Sequence, residues 1–308
     1  MNNVALSFDM GGSKLVTGLV TRRGEVLWSQ KTTWSPISKQ EIMTALIASG
    51  QAAMRENPNF QPQVIGATIP GVADYRTGTW LEASFSGIRD FPVASELSHA
   101  FSLPVFADND GNACVLAEHF FGAGQGIDDF LYMTVSNGIG GGIFSGGQLL
   151  RGATGAAGEM GHCTVVDNGR LCKCGKRGCL EVYAAGPGIR QTYHELYGTD
   201  KSGEELAQMA RAGDSSALHI WELEGDYLGR IIAASVNLLN PARVILGGGL
   251  SLAFPLYEAA LWKSIRQNLF AKPNAALEIM PTPLGYQGGL LGAAAIAFFA
   301  NQSENRSF

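Results

Sequence analysis

Val4-Ala5-Leu6-Ser7-Phe8-Asp9-Met10-Gly11-Gly12-Ser13-Lys14-Leu15-Val16-Thr17-Gly18-Leu19-Val20 opens the chain with two apolar runs on either side of a glycine turn. Val4 to Phe8 and Leu15 to Val20 are short and bounded by turn residues, which predicts two strands, and Glu25 to Trp34 adds a third. Working outward, Ser38-Lys39-Gln40-Glu41 is a capping box, and Ile42, Ala45, Leu46 and Ala53 recur at helical spacing until Asn57-Pro58. Val64 to Ile69 reads as a buried strand ending in Pro70-Gly71. Leu103 to Ala107 reads as another, followed by Asp108-Asn109-Asp110-Gly111 and a helix from about Asn112 to Phe121.

Beyond a glycine-rich link, Gly122 to Gly126, the order begins again. Phe130 to Val135 predicts a strand, Ser136 to Gly141 a glycine turn, and Gly142 to Ser145 a strand. Tyr227 to Leu239 predicts an apolar-faced helix stopped by Asn240-Pro241, Arg243 to Leu246 a strand, and Gly247-Gly248-Gly249 the opening of a helix. Strand, glycine turn, strand, twice over with helices after, implies two related α/β lobes around a cleft.

The 308 residues are 46% hydrophobic, enough for two medium cores. A formal net charge of -5 with no block of Lys and Arg argues against nucleic acid and anionic membranes as partners. No basic region precedes the first apolar run, so no secretory signal is expected, and the run Gly288 to Ala300 is too short to span a bilayer. A soluble, cytoplasmic protein is the expectation. The apolar helices suggest a homodimer.

Glycine turns let backbone N–H groups approach an anion with no Cβ in the way. Three candidates stand out: Gly11-Gly12-Ser13-Lys14, Ser136-Asn137-Gly138 with the glycines that follow, and Gly247-Gly248-Gly249. None carries the Walker A pattern or the Rossmann fingerprint. Three such turns at corresponding places point to ATP, although each alone reads equally as a tight hairpin or helix entry. Asp9, at a strand end, suits Mg²⁺ held through water, or else a plain Asx turn. Phosphoryl transfer to an alcohol also needs a carboxylate to take the hydroxyl proton. Asp110, between a buried strand and a helix start, is the candidate base, with Asn109 beside it to orient the acceptor through donor and acceptor groups. The alternative for this tetrapeptide is an Asx-rich turn and helix cap.

Four of five cysteines lie between Cys163 and Cys179, where a reducing compartment argues against disulfides. His162, Cys172, Cys174 and Cys179 have the spacing H-x9-C-x-C-x4-C and describe a closed, structural zinc site, with Cys163 a spare and reduced thiols beside a core histidine the alternative. Glu159 and Glu181 flank the metal loop and would be fixed by it as acceptors for sugar hydroxyls, although either alone reads as a surface or capping glutamate.

The motifs D-M-G-G-S-K at 9 to 14, A-D-N-D-G-N at 107 to 112, S-N-G-I-G-G-G at 136 to 142, G-E-M-G-H at 158 to 162 and C-K-C-G-K-R-G-C-L-E at 172 to 181 resemble those of the ROK family of repressors, open reading frames and sugar kinases. The resemblance implies the two-lobed, actin-like (ribonuclease H-like) ATPase fold with ATP and sugar in a central cleft. It implies transfer of the γ-phosphate to a hexose or N-acetylhexosamine, commonly at the 6-hydroxyl, by a Mg²⁺-dependent kinase. Sugar contacts are expected from Asn109, Asp110, Glu159, His162 and Glu181, with Gly71 and Ser84 completing them. His162 would give one ring nitrogen to zinc and the other to the sugar. ATP contacts are expected from Asp9, Gly11, Gly12, Ser13, Lys14, Ser136, Asn137, Gly138, Gly247 and Gly248.

The chain departs from the family pattern in three places. Ser13 stands where Thr is usual, Ser136-Asn137-Gly138 replaces Gly-Thr-Gly, and the Asn and Trp that glucokinase-like members carry near Ser84 and Ile88 are missing. Repressor members add an N-terminal helix-turn-helix, whereas the first strand here begins within a few residues of Met1, which disfavours DNA binding. A small lobe of residues 1–118, completed by a C-terminal helix in 290–308, and a large lobe of 119–289 with the zinc loop are expected. A non-catalytic sugar sensor of the same family is the alternative function.

Overall fold

The computed structural model describes residues 3–35, 38–83, 87–270 and 276–299. Contacts divide them into two compact units: one runs through Gly126 and includes Gln148–Ala157 and the chain from Leu284, the other is Ile127–Gly147 with Gly158–Pro283.

In the first unit, β1 (Val4–Met10) pairs antiparallel with β2 (Lys14–Thr21), which pairs antiparallel with β3 (Val26–Thr33). β1 is central and buried on both faces, hence its near-continuous apolar run, while the edge strand β3 exposes Ser29, Gln30 and Lys31. Helix α1 (Lys39–Glu56) starts on the expected capping box, with the Glu41 N–H on Ser38 Oγ at 3.2 Å and the Ser38 N–H on Glu41 Oε2 at 3.1 Å. β4 (Val64–Ile69) lies parallel to β1. A small antiparallel sheet follows, of β5 (Val72–Asp74), β6 (Thr79–Glu82) and β7 (Arg89–Phe91). After α2 (Val93–Phe101), β8 (Val105–Asn109) pairs parallel with β4, closing the order β3-β2-β1-β4-β8. Helix α3 (Asp110–Phe121) begins at Asp110, two residues before the expected start, because Asn109 caps it by accepting the Asn112 N–H.

The second unit repeats the plan. β9 (Phe130–Val135) pairs antiparallel with β10 (Ile139–Ser145) and parallel with β12 (Arg243–Gly247), which pairs parallel with β13 (Glu278–Pro281). The order and directions of β10-β9-β12-β13 match those of β2-β1-β4-β8. β10 begins three residues earlier than expected, so the turn shrinks to Ser136–Gly138. Its glycines are strand residues that admit a neighbouring segment: a Cβ at Gly141 would meet Met160 Cε at 2.4 Å. The short β11 (Gln148–Leu149) and residues up to Ala157 belong to the first unit.

Helices α4 (Glu181–Ala184), α5 (Gly186–Tyr197), α6 (Gly203–Arg211), α7 (Ser215–Leu239) and α8 (Phe254–Asn268) complete the second unit. Helix α7 starts twelve residues before the expected Tyr227. Asp214 caps it, and Ala217, Ile220 and Trp221 carry its buried face past a polar run that hides the period. The expected helix at Gly247-Gly248-Gly249 is corrected as well: a 3-10 turn over Gly249–Ala253 intervenes, and α8 starts at Phe254.

The chain then returns to the first unit as α9 (Gly288–Phe299), buried through Ala297. Its small residues allow it to lie directly on β4, where a Cβ at Gly66 would sit 1.8 Å from the Ala293 carbonyl oxygen. The remainder of the C-terminal segment expected over 290–308 lies outside the described residues. Among the described residues, no helix is long and apolar enough to cross a membrane.

Candidate active site

Asp9 points from the end of β1 toward Thr68, whose hydroxyl donates to Asp9 Oδ1 at 3.1 Å while accepting the Met10 N–H at 2.9 Å. Burial pushes the Asp9 carboxyl above its ordinary pKa, opposed by the Thr68 hydrogen bond and by Lys14. A cation beside it would restore the charge. Gly289, in the first turn of α9, comes so close that a Cβ there would lie 2.5 Å from this carboxyl. In the turn that follows, the Gly11 N–H binds the Lys14 carbonyl at 2.8 Å, and the Trp34 ring N–H binds the Gly11 carbonyl at 2.8 Å. The Gly12 and Ser13 N–H groups have no partner among the described residues and are exposed, the state an anion-binding turn requires.

Asn109 and Asp110 sit where β8 passes into α3. Asp110 Oδ1 accepts the Gly111 N–H at 2.9 Å and the Asn109 amide at 3.0 Å, which sets the direction of its carboxylate. Both ends of the Asn109 amide are engaged: Oδ1 caps α3, and Nδ2 also donates to the Gly71 carbonyl at 2.8 Å. Asn109 therefore orders the loop first, which narrows the expectation that its whole amide faces an acceptor alcohol. Gly71 has φ +101, and a Cβ there would meet the Glu82 carbonyl oxygen at 2.6 Å. Ser84 lies outside the described residues. Behind the pair, buried Asp108 accepts Arg151 Nε at 2.9 Å on Oδ2, and the Asn109 N–H and the Asn112 amide on Oδ1.

In the second unit the Ser136 N–H closes the turn on the Gly138 carbonyl at 2.9 Å, and the Gly186 N–H binds the Ser136 carbonyl at 2.7 Å. The Ile139 N–H is held by Glu181 Oε2 at 3.1 Å. Beside this turn, a Cβ at Gly247 would strike the Tyr132 hydroxyl at 2.0 Å, and one at Gly248, where φ is +81, would strike the Val135 carbonyl oxygen at 2.4 Å. Only glycine permits that approach to β9. A cavity of about 600 Å³ opens at Asn137 and is lined further by Gly186, Pro187, Arg190, Gln191, His194, Asp200, Ser202 and Gly203. Its volume suits a small organic ligand.

His162, Cys172, Cys174 and Cys179 come together, their ligand atoms all within 4.8 Å of one another. His162 Nδ1 is 3.7 Å from Cys172 Sγ, and Cys174 Sγ is 3.6 Å from Cys179 Sγ. Thiolates on a tetrahedral zinc, at about 2.3 Å from the ion, stand about 3.8 Å apart, so the donor set fits that metal. Burial pushes the Cys172 and Cys179 thiols up, Cys179 to about 12. Burial acts the same way on Cys174, but the Lys176 N–H and the neighbouring thiols outweigh it and lower that thiol. A dication would take all three as thiolates. Cys163 is not in the cluster. His162 turns Nε2 the other way, 4.0 Å from Glu159 Oε2. The loop that carries these four residues also reaches the turn of β9 and β10 through Glu181, two residues beyond Cys179.

Sequence reasoning overlooked Thr68, Asp108, Arg151, Gly289 and the cavity residues of α5. Asp108 carried a signal, a charged residue ending a strand otherwise fit for the core. Arg151 and Gly289 carried none, since each matters only through a partner far along the chain.

The ROK family profile matches residues 5–299. A glucokinase of Thermotoga maritima is 32% identical over 306 residues, covering 94% of this chain and 96% of that protein. A crystal structure of a ROK family glucokinase from Streptomyces griseus, in complex with glucose and AMPPNP, is similar with TM-score 0.85 at 30% identity, covering 96% of this chain and 99% of that one. A xylose repressor of Bacillus subtilis is 30% identical over 264 residues, covering 85% of this chain and 67% of the repressor.

Proposed function

Since the chain belongs to the ROK family, with its actin-like two-lobed fold, and is an ATP-dependent carbohydrate kinase, we propose that it phosphorylates a hexose or N-acetylhexosamine at the 6-hydroxyl, with Asp110 as base. The observation that carries this reading is the Asp110 carboxylate, held in the first helical turn by the Gly111 N–H and the Asn109 amide. So fixed, it takes the proton of the attacking hydroxyl while the γ-phosphoryl moves in line.

Asp9 would hold Mg²⁺, which would supply charge to the phosphates, with Thr68 orienting its carboxylate and Lys14 adding charge. The free N–H groups of Gly12 and Ser13, the turn Ser136-Asn137-Gly138 and the close-packed Gly247 and Gly248 receive the nucleotide, and Gly11 shapes its turn. The cavity beside Asn137 has the volume for a nucleoside. Sugar hydroxyls are bound by Asp110, Glu159, His162 Nε2 and Glu181, with Asn109 and Gly71 shaping the loop beside Asp110 and Ser84 as a further sugar contact. His162 Nδ1, Cys172, Cys174 and Cys179 would hold zinc in a structural role, since four protein donors would leave no position for water, and would so make the loop rigid. The protein works in the cytoplasm as a homodimer, away from nucleic acid and membrane. The lobes follow the two units rather than the expected boundary at 118: the chain through Gly126 with Gln148–Ala157 and the segment from Leu284 makes one, and Ile127–Gly147 with Gly158–Pro283 the other.

A coupled ADP-release assay with Mg-ATP over glucose, N-acetylmannosamine, N-acetylglucosamine, allose, fructose and β-glucosides tests the reading, with product analysis to place the phosphate. Turnover of one hexose is the expected result. The likeness to the xylose repressor keeps a second reading alive, a sugar sensor. Thermal stabilisation by a sugar with no ATP consumed would favour the sensor and sink the kinase.

A further inference from the structure

We propose that Arg151 is a positioning residue for phosphoryl transfer, acting through Asp108 on the Asn109-Asp110 pair; this rests on the reading of Asp110 as base. Arg151 donates from Nε to Asp108 Oδ2 at 2.9 Å, and the two side chains retain only 11% and 3% of their surface. Its guanidinium also lies over the Tyr75 ring, 4.3 Å from the centroid, so hydrogen bond and stacking together fix its plane. The Ala157 N–H donates to the Arg151 carbonyl at 3.1 Å, closing the segment that carries it.

From Asp108 the contacts run straight to the base. Oδ1 accepts the Asn109 N–H at 2.7 Å and the Asn112 amide at 3.1 Å, and Asn109 Nδ2 meets Asp110 Oδ1 at 3.0 Å. Every member belongs to the first unit. A buried carboxylate two residues from the base is tolerable as an anion only with a partner, and Arg151 supplies it. Removing that partner turns the Asp108 side chain toward water or opens the loop to admit it. Either change weakens the double acceptor that places the Asn109 backbone and the first turn of α3, and the Asp110 carboxylate moves with them.

The test compares Arg151→Gln, Arg151→Lys, Asp108→Asn and the Arg151→Gln/Asp108→Asn double variant with Asp110→Asn, by steady-state kinetics and thermal melting of each full-length chain. Arg151→Gln should lower kcat by about 10- to 10²-fold, the scale of a small misplacement of a reacting group. The KM for ATP should change by less than about twofold. Arg151→Lys should recover only part of the rate, since an ammonium lacks the planar fork. The double variant should be no slower than the slower single, because both act on one path. A purely structural role predicts instead a lowered melting temperature with native kcat per folded molecule, and that result overturns the proposal. So do single losses that multiply in the double variant. Native turnover by Asp110→Asn would remove the base reading itself and this proposal with it. If Arg151→Gln does not fold, Arg151→Lys and the double variant carry the comparison, and native kcat in both overturns the role.

Discussion

Replacing Asp110 with asparagine isolates proton acceptance from everything else the residue does. Oδ1 accepts the Gly111 N–H at 2.9 Å and the Asn109 amide at 3.0 Å, and an asparagine amide oxygen can take both bonds unchanged. What disappears is the basic oxygen, replaced by an NH₂ that can only donate. The loss should therefore fall on the barrier: about 10²- to 10⁴-fold in kcat for a missing general base, equivalent to about 3–5 kcal/mol. Folding should change far less, because an acid in the first helical turn contributes only about 0.3–1 kcal/mol through the helix dipole. ADP release with the preferred sugar gives kcat, and calorimetry in the absence of ATP gives sugar affinity. A kcat near the native value would remove Asp110 from the base role. Lost sugar affinity with unchanged kcat would make it a binding residue only.

Three further outcomes follow from the same contacts. Cys174→Ser, a small change at an exposed cluster member, should leave elemental analysis far below the one zinc per chain expected of the native protein. Because Glu181 ties the metal loop to Ile139, the variant should weaken ATP as well as sugar, and undisturbed binding of both would break that link. Gly248→Ala puts a Cβ 2.4 Å from the Val135 carbonyl oxygen at φ +81, so it should cost about 1–3 kcal/mol in melting experiments and raise the KM for ATP; an unchanged melt would contradict the tight approach. Glu224, buried on α7 with neither oxygen partnered among the described residues, has its pKa pushed well above 4.5 by burial. The unfolded chain ionises there first, so this group's contribution is full below that value and is lost as pH rises toward the folded pKa, by at most about 1.4 kcal/mol per pH unit. Glu224→Gln should flatten the fall in melting temperature between pH 5 and 8, and an unchanged slope would show that Glu224 does not titrate there.

Strands whose burial is complete were legible because apolar runs bounded by turn residues have few other readings: Val64–Ile69 and Phe130–Val135 were placed to the residue. The capping box at Ser38 was legible for a local reason, since both its hydrogen bonds span three residues. The start of α7 was hidden by Glu222, Glu224, Gly225 and Asp226, although Glu224 is buried, and the length of β10 was hidden by glycines that a strand normally avoids. In the candidate site the gathering of His162, Cys172, Cys174 and Cys179 was legible from their spacing. The Arg151-Asp108 pair, 43 residues apart, and the approach of Gly289 to Asp9 were not, because sheet order decides such contacts and local sequence does not record it.

The repeated strand order explains why the candidate residues fall where they do in each unit. In the first, β1, β4 and β8 run parallel and end in turn at Asp9-Met10, at Ile69 just before Gly71, and at Asn109. In the second, β9 and β12 run parallel and end at Val135, just before Ser136, and at Gly247. Carboxyl ends of parallel strands are where α/β sheets leave backbone groups and helix starts exposed to a ligand. The antiparallel hairpins β1-β2 and β9-β10 add one tight turn at the same end of each sheet, and these turns hold Gly11–Ser13 and Ser136–Gly138. One architectural rule, applied twice, thus supplies the strand-end carboxylates Asp9 and Asp110 in one unit and only glycine and amide donors in the other. Under the proposed reading, that asymmetry places the acid-base and cation roles in the first unit. The second would then hold anions by backbone N–H groups, and the proposed sugar carboxylates Glu159 and Glu181 come from the loop around His162, Cys172, Cys174 and Cys179 instead of from strand ends.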